Sequence, residues 1–216
     1  MLSKLIDFLK DKPFVLSAGI MRSGSTMIYN VLRQILLIKY GDGLAAGWQN
    51  DMANPPVGDF YLIKTHNIAP FFEANPEHIF FTYRDLRVVE VSMNKFFGTP
   101  LSAEAIGYYI LEYYRARENG ATTIKYEELI KNPKSYILAI ANSLKINVNV
   151  DAICDKVLNL KPPIDGVEYS KETLLHPEHI TGTKDDEWRK LMPDEMQNKI
   201  RQDYAWWFEK CGYPVE

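Results

Sequence analysis

Phe14-Val15-Leu16-Ser17-Ala18-Gly19-Ile20-Met21-Arg22-Ser23-Gly24-Ser25-Thr26 passes from one backbone period to another. Phe14 to Ile20 is a short apolar run of the kind a buried parallel strand shows. Beyond Thr26, apolar residues recur at Met27, Ile28, Val31, Leu32, Ile35 and Leu36, the spacing of one helix face. A turn of small residues entering a helix offers unpaired backbone N–H groups at the positive end of the helix dipole. Gly24 allows close approach of a ligand, the hydroxyls add donors, and Arg22 adds a fixed charge with a fork of N–H groups. The stretch reads as a phosphate cradle. An ordinary strand-to-helix turn capped by Ser25 would account for Gly24 and Ser25, but not for the arginine and hydroxyls gathered beside them. A nucleotide triphosphatase loop needs lysine directly after its last glycine; here Ser25 follows Gly24, which points to a phosphorylated ligand bound without metal.

With 216 residues, 46% of them hydrophobic, the chain can build one sizeable core, and residues 1–216 are expected to form a single domain. A net charge of −3 and a pI near 5.9 argue against a broad surface for nucleic acid or an anionic membrane. Cys154 and Cys211 share no metal-ligand spacing, and Lys4, Asp7, Lys10 and Asp11 interrupt the apolar residues of Met1 to Lys12. The expectation is a reduced, cytoplasmic protein whose first residues form a short amphipathic helix packed on the domain.

Phe60 to Thr65, His78 to Tyr83 and Thr122 to Tyr126 read as further strands. Leu86 to Phe97, Ser102 to Glu118, Pro133 to Leu144, Val150 to Leu158 and a last segment opened by Pro193 read as helices. Residues 41 to 59, rich in Gly, Pro, Asn and Asp, read as one long loop bordering an acceptor site, and residues 161 to 187 as irregular. Strands alternating with helices predict an α/β domain: a mainly parallel central sheet flanked by helices. Arg22, Lys64, His66, Arg84 and Tyr126 all fall at or just after a predicted strand end, so they can meet on the carboxyl rim where such sheets bind ligands. Lys64 and His66, two residues apart on extended backbone, point to the same side.

Four stretches, in order, resemble the sulfotransferases that use 3′-phosphoadenosine 5′-phosphosulfate (PAPS), which have a P-loop NTPase-like fold. Arg22-Ser23-Gly24-Ser25-Thr26 is similar to the family's loop for the 5′-phosphosulfate, in the form its carbohydrate branch carries. Lys64-Thr65-His66 resembles the stretch that holds the catalytic His in the cytosolic branch. Arg84, followed eight residues later by Ser92, resembles the 3′-phosphate motif, and Ile124-Lys125-Tyr126-Glu127-Glu128-Leu129 the stretch whose Tyr lies near the adenine. The resemblance implies sulfuryl transfer from PAPS to a hydroxyl or amine, leaving 3′,5′-diphosphoadenosine (PAP), with no metal. It implies His66 as general base, Lys64 and Arg22 on the leaving side, and Arg84 with Ser92 on the 3′-phosphate.

Departures from the family pattern are visible. Met27 stands where the cytosolic branch has a Trp over the adenine, and for Tyr126 a role at the base and a purely structural one both stand. The family's late Arg-Lys-Gly loop is replaced by His179-Ile180-Thr181-Gly182-Thr183-Lys184 within a cofactor-covering segment at 161–192, where Thr181 and Gly182 are the nearest match for closure over the 3′-phosphate. Arg87 is read as a surface charge, and His78, His176 and His179 as structural. The acceptor is expected to be a small molecule with an apolar or aromatic body, its walls drawn from Trp48, Met52, Phe96, Phe97, Tyr108 and Tyr109, with the stripe of Tyr109 and Tyr113 turned to the core. Two other readings compete: a small-molecule kinase of the P-loop type, and a nucleotide-binding module without turnover, against which the pairing of Lys64 with His66 argues.

Overall fold

The computed structural model describes residues 2–164, 167–177 and 183–215. Five strands, β1 (Phe14–Gly19), β2 (Leu44–Trp48), β3 (Phe60–Lys64), β4 (His78–Tyr83) and β5 (Thr122–Lys125), form one sheet in the order β2-β3-β1-β4-β5. Every pairing is parallel. The helices are α1 (Leu2–Leu9), α2 (Ser25–Tyr40), α3 (Leu86–Phe97), α4 (Ala103–Glu118), α5 (Tyr126–Lys131), α6 (Pro133–Ser143), α7 (Val150–Leu158), α8 (Trp188–Leu191) and α9 (Asp194–Lys210).

Both sheet faces are covered, which is why the strand sequences run nearly continuously apolar. Alternate side chains choose the face: Val15, Leu62 and Phe80 pack with α2, α6 and α7, whereas Leu16, Tyr61 and Ile63 pack with α1. Phe81 and Ala18 join the larger core under α3, α4 and α9, where Tyr109 and Tyr113 are buried as the helical stripe predicts. Leu5, Ile6 and Leu9 seat α1 on the domain, and no helix among the described residues is long and apolar enough to cross a membrane.

One expectation fails at residues 41 to 59. Leu44 to Trp48 form the edge strand β2, in register with β3 from Leu44 opposite Phe60 to Trp48 opposite Lys64. Leu-Ala-Ala-Gly-Trp has no β-branched residue, so its extended form comes from pairing with β3 and not from local preference. Met52, expected in an acceptor wall, is instead buried against Gly47.

A parallel sheet sends all its carboxyl ends to one rim. Gly19 pairs with Thr82, Trp48 with Lys64 and Tyr83 with Lys125, so those strand ends lie side by side. The strand order reverses about β1, placing the crevice above its carboxyl end.

Candidate active site

The turn after β1 is held by Ser23. Its buried hydroxyl lies 2.5 Å from the Ile20 carbonyl, 3.0 Å from the Thr82 carbonyl and 2.8 Å from Thr82 Oγ1. Its backbone N–H donates to Ile20 as well, at 3.2 Å. Ser23 therefore bolts the loop to β4, and its side chain does not line the cavity that the neighbouring Gly24, Ser25 and Thr26 face. This corrects the sequence expectation of a ligand-facing hydroxyl, because the close approach of β1 and β4 turns that hydroxyl inward. Gly24, at φ 83°, precedes the first turn of α2, whose N–H groups have no side-chain cap. A Cβ on Gly24 would come within 2.7 Å of the Tyr126 ring, so the glycine is demanded by both backbone and neighbour.

The cavity above the rim has a volume of about 710 Å³ and brings together Arg22, Gly24, Ser25, Thr26, Met27, Lys64, His66, Arg84, Ser92 and Tyr126. These residues come from β1, β3, β4, α2, α3 and α5 and their junctions, as the strand-end argument predicts. Thr181, Gly182 and His179 lie outside the described residues.

The charged side chains are arranged in two groups. Arg22, itself at φ 62°, sends its Nε to Ser92 Oγ at 3.0 Å and packs its guanidinium on the Phe96 ring, 4.7 Å from the centroid. Ser92 and Phe96 are one turn apart on α3, which therefore sets where Arg22 points. Burial, then the charge of Arg84, pulls the Arg22 guanidinium below its ordinary range. Arg84, only 6% exposed, lies over Tyr126 at 4.2 Å and donates through Nη2 to the Thr183 carbonyl and to Asp185. Its Nε is buried with no hydrogen-bond partner among the described residues. Two guanidiniums in one cavity, one with a donor unspent, make a site that calls for an anion.

Arg87 is not the surface charge its sequence context suggests. It is buried, pairs bidentately with Asp85 at 2.9 and 2.6 Å, and lies between the rings of Trp188 and Phe208. Asp85 in turn accepts from the Arg87 N–H as the cap of α3. This pair fixes the start of α3 directly after Arg84.

The second group is Lys64, His66 and Trp48. Lys64 is 5% exposed, and burial pushes its ammonium down to about 7. Its Nζ stands 4.9 Å from the Trp48 ring and 3.3 Å from His66 Nε2. His66 Nδ1 lies 2.6 Å from the Gly19 carbonyl oxygen, which can only accept, so the imidazole proton sits on Nδ1 and the neutral ring presents its lone pair at Nε2. Gly19 reaches that position because it packs against β4, where a Cβ would fall 2.1 Å from Thr82 Oγ1. Thr65, fully buried, donates from its hydroxyl to Gln49 Oε1 at 2.6 Å and accepts from the Asn67 N–H at 3.0 Å, which fixes the turn that carries His66.

Inside the segment expected to cover the cofactor, Tyr169 and His176 were not anticipated as lining residues. Residues 167–177 cross the cavity, tied down by Asn30 Nδ2 to the Thr173 carbonyl (2.8 Å), Arg33 to Glu172 (2.7 Å), and Tyr169 and Lys171 to Asp51 (2.5 and 2.8 Å). They bring Tyr169 and His176 into its lining, with the His176 ring 5.3 Å from Tyr169 and 5.9 Å from Phe96. Phe96 and Phe97 also line the cavity, whereas Tyr108 and Tyr109 do not: Tyr109 is core and Tyr108 faces outward. Among the described residues no group of three or more His, Cys, Asp or Glu side chains is placed to hold a metal ion.

No family model matches the sequence, and no curated protein matches it either. Solved structures do match in fold. A mouse sulfotransferase, SULT7A1, complexed with PAP, superposes with a TM-score of 0.64 at 15% identity, covering 93% of this chain and 86% of its own. A retinol dehydratase in complex with androsterone and inactive cofactor PAP gives 0.60 at 15% identity, covering 93% and 83%. The same enzyme with retinol and PAP gives 0.58 at 13%, covering 88% and 80%. The fold of this chain is the PAPS-dependent sulfotransferase fold.

Proposed function

We propose that this protein is a PAPS-dependent sulfotransferase that moves a sulfuryl group onto a hydroxyl or amine of a small acceptor, with His66 as general base. The observation that carries the reading is an imidazole of fixed tautomer, its Nε2 presented beside a buried lysine, in the same cavity as an anion-demanding cradle.

The donor set fits such a nucleotide. The glycine-lined first turn of α2, with Ser25 and Thr26, suits its 5′ side. Arg84, with its unspent Nε, suits the 3′-phosphate together with Ser92. Tyr126 and Met27 line the part of the cavity that suits the adenine. PAPS, when bound, supplies a sulfuryl group already activated by its phosphate leaving group. His66 takes the acceptor proton at Nε2 while Nδ1–H stays on the Gly19 carbonyl. Lys64 and Arg22 answer the negative charge that grows on the leaving side.

Trp48, Phe96, Phe97, Tyr169 and His176 offer the acceptor an apolar and aromatic wall, which favours a small molecule over a polyanionic chain. The androsterone and retinol held by the neighbouring folds support the same choice. Labelled PAPS offered with phenols, hydrophobic alcohols and anionic oligosaccharides tests the reading. Turnover of the first two classes is expected, and His66→Ala should lose ~10²–10⁴-fold while its PAP affinity by calorimetry stays near wild type. Undiminished transfer in that variant, or phosphoryl transfer from ATP in place of sulfuryl transfer, would overturn it.

A further inference from the structure

Lys64 is aimed at the atom that the base must use. The Gly19 carbonyl commits the ring proton to Nδ1, so Nε2 is the acceptor nitrogen, and Lys64 Nζ stands 3.3 Å from it. We propose that Lys64 locks the base: without the sulfuryl donor its N–H occupies His66 Nε2, and the donor's anion draws it away, so that the base is released only once the donor is seated. The inference rests on the function proposed above and adds to it an order of events.

Three features carry it. Lys64 is nearly excluded from water, so its N–H groups cannot simply turn outward to solvent. On one side stands the Trp48 ring at 4.9 Å, which offers a π face and no lone pair on a heteroatom. Among the described residues the imidazole is the hydrogen-bond partner of Nζ. At 3.3 Å the bond to Nε2 is long, whereas a bond from an ammonium to an anionic oxygen is shorter and adds the attraction of opposite charges, which a neutral imidazole lacks. An anion in reach therefore wins the lysine, and the same movement uncovers the lone pair that an acceptor hydroxyl must meet. Until then a hydroxyl beside His66 competes with Lys64 for Nε2, so deprotonation of the acceptor waits for the donor.

Nitrogen NMR on protein labelled in its histidine rings tests this, comparing wild type with Lys64→Met, and with Lys64→Leu should the methionine variant not fold. Without ligand, the wild-type His66 Nε2 resonance should be displaced from its position in the variant, in the direction given by accepting a hydrogen bond. Added PAPS, with no acceptor present, should bring wild type onto the PAPS-bound variant. Coincident ligand-free resonances, or a separation that survives PAPS, would overturn the lock. Calorimetry with PAP on the same samples separates the two ideas. PAP binding with an unmoved Nε2 separation removes the lock alone, while no PAP binding to wild type removes the proposed function and the lock with it.

Discussion

Replacing Lys64 by methionine probes the burial on which this site depends. The side chain is 5% exposed, and burial alone lowers its ammonium from 10.5 to about 7. Between those values the unfolded chain holds a proton that the folded protein does not. The Lys64 contribution to wild-type stability is therefore flat below about pH 7 and rises with pH through the window up to the unfolded value. The gap between about 7 and 10.5, at about 1.4 kcal/mol per pH unit, is worth several kcal/mol, of which about half falls between pH 6 and 9. Methionine keeps the apolar stem and removes the titration. Its stability advantage over wild type should thus be largest at pH 6 and shrink by a few kcal/mol, on the order of 3, by pH 9. Urea midpoints for the two proteins, measured in parallel at each pH, cancel the other titrating groups in the difference. Parallel stability curves, or an advantage that grows with pH, would refute the reasoning.

Arg84→Ala should weaken PAP binding by about 1.5–3 kcal/mol, and adenosine 5′-phosphosulfate, which lacks the 3′-phosphate, much less; calorimetry reads both. Asp185 occupies Arg84 Nη2 at 3.2 Å but is itself largely exposed, so Asp185→Asn should tighten PAP binding by no more than about 1 kcal/mol, and weaker binding would place the carboxylate on the ligand's side. Ser23→Ala should cost about 1–3 kcal/mol of stability in urea unfolding and leave PAP affinity close to wild type, since its hydroxyl serves the fold; a large affinity loss in a stable variant would return Ser23 to the cradle.

The strands that lie between others were legible because burial on both faces writes them as apolar runs: β1, β3 and β4 stand in the sequence almost to the residue. β2 was not, since its extended form is lent by β3. The convergence of Arg22, Lys64, His66, Arg84 and Tyr126 in one cavity was legible for a topological reason: parallel strands put every following residue on one rim. What stayed hidden depends on partners far along the chain. Nothing near Arg87 announces Trp188 and Phe208, which turn a helix-start arginine into a buried one. His176 and Tyr169 sit in an irregular stretch with no period, and their place is set by Asn30, Arg33 and Asp51 on the first half of the chain. Ser23 shows the limit from the other side: the motif gives the residue type, but the direction of its hydroxyl depends on Thr82.

The Gly19 carbonyl, 2.6 Å from His66 Nδ1, sets the imidazole's orientation from the main chain. A carbonyl in that place accepts one proton and brings no charge of its own, so a dipole holds the ring. The arrangement is also silent to any comparison of side chains, because the group that steers the ring belongs to the peptide unit. Only the room for it is inherited as a residue type, in the missing Cβ at position 19 that lets the strand lie against Thr82.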